Sequence, residues 1–172
     1  MEIIPDGTEK TEITEELPQG MERRLVLRLL AHWRTLCNDR DYPSFFEVDP
    51  SAIPDMWENC FVLEIFGDGD EPRFRAMGEK LATYVDFSLI DQPLSAAPEK
   101  SLPGVAVSFL EEVLRKGVPI SRGDEFLKDD GTKVLYRSIL LPVSDDGTTI
   151  SGILGAVNCR EVFEDQAPIE PR

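Results

Sequence analysis

The stretch from Val118 to Asn158, VPISRGDEFLKDDGTKVLYRSILLPVSDDGTTISGILGAVN, decides the fold of this chain. It holds three runs rich in strand formers: Val118–Leu127, Lys133–Val143 and Ile150–Asn158. Between them lie two turns of the same chemistry, Asp129-Asp130-Gly131-Thr132 and Asp145-Asp146-Gly147-Thr148. Asp-Gly is a strong short-range hairpin signal, because glycine takes positive φ without steric cost. Two such turns in succession predict a three-stranded antiparallel meander. In its middle strand Val134, Tyr136 and Leu140 point one way, while Leu135, Ile139 and Leu141 point the other. Both faces of the sheet therefore need cover.

Working upstream, Ser101 as N-cap, with Pro103 and Gly104 in the first turn, predicts a helix running to Lys116 and stopped by Gly117. Val105, Phe109 and Val113, with Leu110 and Leu114, form its apolar stripe. Asp86 to Pro103 is broken by Pro93, Pro98 and Pro103 and predicts short turns, and Gly78–Val85 has helical spacing. Cys60–Phe66 and Arg73–Met77, joined by Gly67-Asp68-Gly69-Asp70, read as a hairpin. Asp41–Trp57 carries three prolines, so a single short turn capped by Asp49 or Ser51 is expected there. Before it, Leu25, Leu29, His32, Trp33 and Leu36 recur at helical spacing, which predicts an amphipathic helix within residues 20–40. That helix is the natural cover for the second face of the sheet. The class is α+β, in a domain over 41–163, flanked by a disordered acidic leader at 1–19 and a disordered tail at 164–172.

The chain has 172 residues and a hydrophobic share of 41%, enough for one domain with a real core. Its 33 acidic and 18 basic residues give a net charge of -15, which opposes binding to nucleic acid or to an anionic membrane. Three scattered cysteines make neither a disulfide framework nor a metal-binding spacing. No signal peptide and no run of about 20 apolar residues is found, so a cytoplasmic protein is expected.

The segment Leu29-Leu30-Ala31-His32-Trp33-Arg34, then Asp41-Tyr42-Pro43 and Asp49-Pro50, resembles the opening of a family of short bacterial PAS proteins. Phe74-Arg75-Ala76-Met77-Gly78 is similar to that family's second strand, in which an arginine and a glycine precede the first domain helix. The resemblance covers about Glu22 to Val162. It implies a five-stranded antiparallel sheet with a helical layer on one face and the N-terminal helix on the other. It also implies a sensory or regulatory module in signal transduction, passing its signal by protein–protein contact to an unidentified signalling protein. The module is expected to act without an output domain of its own. The alternative is a sensor for a metabolite or nucleotide bound in the PAS cavity, and a small α+β enzyme ranks last.

Candidate residues follow from both readings. The wall of a ligand pocket is assigned to Phe74, Met77, Tyr84, Phe87, Phe109, Tyr136 and Ile153, a set that suits a plain hydrophobic core equally well. Leu25, Leu29 and Trp33 form a candidate seam for a partner or for a second copy in a homodimer. Trp33, Arg34, Asp49, Pro50, Arg75 and Gly78 are structural, with Arg34 expected to pair with Asp49 or Glu47. Asn158-Cys159-Arg160 matches the triplet of flavin-binding photosensors, in which it lies on a mid-domain helix; here it ends the last strand. His32 is the one histidine and is read as a packing residue rather than a haem ligand. Cys37 and Cys60 are read as buried thiols, with redox sensing as the alternative. No cofactor, metal site or catalytic residue is expected.

Overall fold

The computed structural model describes residues 12–13 and 24–163. It contains β1 (Glu12–Ile13), α1 (Arg24–Cys37), β2 (Cys60–Glu64), β3 (Arg73–Met77), α2 (Glu79–Ala82), α3 (Leu102–Ala106), α4 (Leu110–Lys116), β4 (Ile120–Leu127), β5 (Lys133–Val143) and β6 (Gly152–Val162). The sheet order is β1-β4-β5-β6-β2-β3. Five of these strands form the expected antiparallel sheet, in which the first hairpin joins the meander through β2 and β6. Glu12 and Ile13 add a short parallel pairing to Ile120 and Ser121 at the β4 edge. The rest of the expected leader, and the tail at 164–172, lie outside the described residues.

Both meander turns place their glycine in the left-handed region, Gly131 at φ 89° and Gly147 at φ 85°. β6 runs on to Val162, four residues past Asn158, because β5 offers partners as far as Lys133. Asn158-Cys159-Arg160 therefore lies within the last strand rather than ending it. The predicted helix from Ser101 is also interrupted. Ser101 accepts the Gly104 N–H as foreseen, but α3 stops at Ala106 and α4 restarts at Leu110. Between them Ser108 turns its hydroxyl back to the Val105 carbonyl, and Phe109 leaves helical geometry at ψ 23°. Local hydroxyl–backbone bonds of this kind compete with the helix ladder.

The two sheet faces carry separate cores. On the inner face Phe61, Phe74, Tyr136, Leu140 and Ile153 of the sheet pack against Leu102 and Ala106 of α3 and Leu110 and Val113 of α4. On the outer face Val62, Ile139, Leu141, Leu154 and Ala156 pack beneath Val26, Leu29, Leu30 and Trp33 of α1. The alternation read along β5 is the one observed.

Candidate functional site

Of the expected pocket wall, β3, β5 and β6 contribute Phe74, Tyr136 and Ile153, all buried on the inner face. Met77, Tyr84 and Phe109 close the edge of the same cluster and are partly buried. The Arg122 guanidinium lies 5.8 Å from the centre of the Phe109 ring and pairs with Glu112 at 2.7 Å, closing one side. At the other side the Cys159 thiol donates to the Tyr84 hydroxyl oxygen at 3.3 Å. Burial raises the pKa of both of these groups, and burial pushes Tyr136 up to about 12, so all three stay protonated near neutral pH. Phe87 does not join them. It is 50% exposed and, with Met77, Val85, Leu89 and Ile90, lines a surface groove of about 270 Å³. α2 ends at Ala82, three residues short of its sequence pattern, so the chain turns outward before Phe87.

The sequence reading left one wall residue out. Phe61 meets Phe74 edge-on at 6.4 Å, and its ring lies over Gly155, its partner across the β2–β6 ladder. A Cβ at Gly155 would collide with that ring. A glycine inside an apolar strand was the available signal.

Leu29 and Trp33 are fully or almost fully buried in the outer core, and Leu25 packs against it. The stripe expected to serve as a seam for a second copy is thus used inside the chain, because the apolar outer face of β5 and β6 takes it. The Trp33 indole N–H donates to the Pro142 carbonyl at 2.8 Å, a buried bond that fixes α1 against β5. Arg28, on the same helix, pairs with Asp55 in the segment that follows it. Glu47 is bound by Arg40, with two bonds of 2.8 and 2.9 Å, and Arg34 stands on the exposed side of α1. Asp49 caps the short turn begun by Pro50, accepting the Ser51 N–H. Two further single turns, Phe45–Glu47 and Trp57–Asn59, flank it where only one was expected. Tyr42 then reaches across the edge of the molecule and donates to the Gly117 carbonyl at 2.8 Å, joining the α1 layer to the end of α4.

Arg75 reaches Glu64 at 2.9 Å and Asp91 at 2.6 Å, tying the loop after α2 to the first hairpin. Gly78 is required by space: a Cβ there would collide with the Trp57 carbonyl oxygen and the Glu58 backbone. Cys37 and Cys60 are buried, and burial pushes Cys60 up to about 12, which works against a reactive thiolate. The Asp-rich turns bond to themselves, Asp68 accepting from Asp70 and Asp130 from Thr132. Among the described residues no group of His, Cys, Asp or Glu is arranged to hold a metal ion, and no helix is long and apolar enough to cross a membrane.

Solved structures similar to this chain include the light state of the blue-light photoreceptor Aureochrome1 LOV, at 18% identity over 67% of this chain and 89% of that one, TM-score 0.43. Another is the LOV domain from the Erythrobacter litoralis EL346 blue-light activated histidine kinase, at 16% identity over 60% and 96%, TM-score 0.44. An RNA-binding Light-Oxygen-Voltage receptor is similar at 10% identity and TM-score 0.41, over 67% of this chain and 35% of that one. Light and RNA belong to those proteins. No curated protein matches the chain. The PAS domain family model matches residues 21–158, which span α1, both layers and most of the sheet. The chain belongs to the PAS domain family, as a sensory domain.

Proposed function

We propose that this sensory domain is a cytoplasmic regulatory module that passes its signal to a partner protein by direct contact and performs no catalysis. The observation that carries the reading is that one strand serves two hydrophobic layers. Ile139 and Leu141 of β5 seat α1, while Tyr136 and Leu140 of the same strand seat the inner helices. Packed interiors are close to crystalline density, so a rearranged inner layer displaces the strand it rests on. Tyr42 supplies a second link between the layers through Gly117. An input that favours one arrangement of the inner helices shifts the population toward the α1 position that belongs with it. Arg24, Leu27, Arg28 and Ala31 line a shallow groove on the outward side of α1, where a change in that position is displayed.

Site-specific cross-linking in the native host tests this. A photoreactive side chain replaces Leu27, which is 45% exposed on α1, or Leu127, 53% exposed on β4. A discrete cross-linked partner from position 27 and none from position 127 is expected. No cross-link at position 27, or the same products from both positions, contradicts the reading.

A further inference from the structure

We infer that the turn carrying Phe46 is a docking site for a basic, amphipathic segment of the partner protein. The inference rests on the regulatory reading above and names the surface and the chemistry of the segment it receives.

Phe46 is 91% exposed, the most exposed large apolar side chain among the described residues. Its backbone is nevertheless held firmly. The Ser44 N–H donates to the Glu47 carboxylate in a capping box, the Arg40 guanidinium grips the same carboxylate, and the Phe45 N–H donates to Asp145 at 2.9 Å. Phe45 turns inward and packs against the outer core, its ring over Gly152. The two neighbouring phenylalanines are thus divided between anchoring the turn and facing solvent. A fixed backbone that presents a whole aromatic ring to water makes a preorganised contact, since little further ordering is needed when the ring is covered. Exposed aromatics that become enclosed are the side chains that dominate binding at interfaces.

Beside the ring lies a groove of about 230 Å³, with Ile65 at its apolar floor and Glu64, Arg75 and Asp145 at its margin. Arg75 is already engaged by Glu64 and Asp91, and Arg40 by Glu47. Around the groove the carboxylates outnumber these cations. Asp145 and Asp146 sit in the turn after β5, and the Ile65 N–H donates to Ser151, which sets the Asp68–Asp70 turn beside it at the same end of the sheet. Four hydrogen bonds hold Asp146 well below the ordinary carboxylate range, so its charge persists. An apolar seat within a negative rim complements a cationic segment that offers one apolar residue. Nucleic acid and anionic lipid carry the wrong sign, and so does a second copy of a chain with net charge -15.

The test selects a random peptide display library on the intact protein and titrates the enriched peptides by fluorescence anisotropy. Peptides bearing Lys or Arg around an aromatic or Leu residue are expected. Their binding should weaken with added salt and by about tenfold in Phe46→Ala, a loss usual for a central aromatic contact. Phe46→Ala should melt as the wild type does, since its ring touches little, and Leu127→Ala should bind as the wild type does. Enrichment of acidic or uncharged peptides, an absence of binders, or unchanged affinity in Phe46→Ala overturns the inference. So does a doubled mass in light scattering that Phe46→Ala abolishes, which would make the occupant a second copy. A persistent cross-link from position 27 with intact binding in Phe46→Ala would overturn this site and leave the regulatory reading standing.

Discussion

Asp146 shows how much one side chain organises at a strand connection. Its carboxylate accepts the Thr149 and Thr148 N–H groups, at 2.7 and 2.9 Å, while Gly147 supplies the positive φ that closes the turn. These bonds favour the ionised form and lower its pKa in the folded state, the Thr149 backbone bond most of all. The stabilisation is therefore complete above the unfolded carboxylate range of about pH 4 and fades as pH falls toward the lower folded value. Asp146→Ala should melt below the wild type at neutral pH, and the gap should narrow steadily as pH falls below about 4. A gap that is constant with pH, read by calorimetry, would show that the charge is not what matters. The Asp146-Gly147 turn was legible in the sequence because its demand is local: a turn needs an acceptor and a glycine. Gly78 was legible only through the family resemblance, since the backbone that excludes a Cβ there belongs to Trp57 and Glu58, distant in sequence. The partner of Glu47 was not legible. Arg34 and Arg40 stand on either side of the end of α1, and the bend through Asn38, at φ 60°, brings the second one back onto the carboxylate.

At the scale of elements the strands were read closely and the helices less well. The β4–β5–β6 meander declares itself through two Asp-Gly turns and a period of two. The inner helices are short pieces fitted to a sheet, and their ends depend on neighbours that periodicity does not contain. Hence one predicted helix from Ser101 is two, and the pattern continuing to Val85 stops at Ala82. The pocket wall suffered for the same reason, since Phe87 follows that stop and lies outside, while Phe61 is missing from the expected set although Gly155, the glycine beneath its ring, signals it. α1 is the element with most at stake. Its stripe was read correctly, and the dimer seam expected of it is occupied by the sheet. Trp33→Ala removes a buried ring and the bond to Pro142, and should cost about 3–5 kcal/mol in denaturant unfolding. A loss under about 1 kcal/mol would mean that the side chain contributes little beyond its exposed-surface value.

The whole molecule is one sheet between two unlike layers. The inner layer is made of short helices with aromatic side chains at its edge. The outer layer is a single amphipathic helix followed by a run of single turns, clamped by Arg40–Glu47 and Tyr42–Gly117. The family resemblance in the sequence spans both layers, and so does the match to the PAS family over residues 21–158. What single-sequence patterns did not contain is the surface left over after folding, of which Phe46 is the clearest part. Exposure is a property of the assembled fold, and nothing in Ser44-Phe45-Phe46-Glu47 says which ring faces water. α1 is a packed layer of the domain rather than an appendage. Native-state hydrogen exchange tests it most directly. The amides of residues 24–37 should exchange nearly as slowly as those of β5 in the wild type, and Trp33→Ala should release α1 far more than β5. Fast exchange across α1 in the wild type, at the rate of an unstructured peptide, would mean that the helix is an appendage and not a layer of the domain.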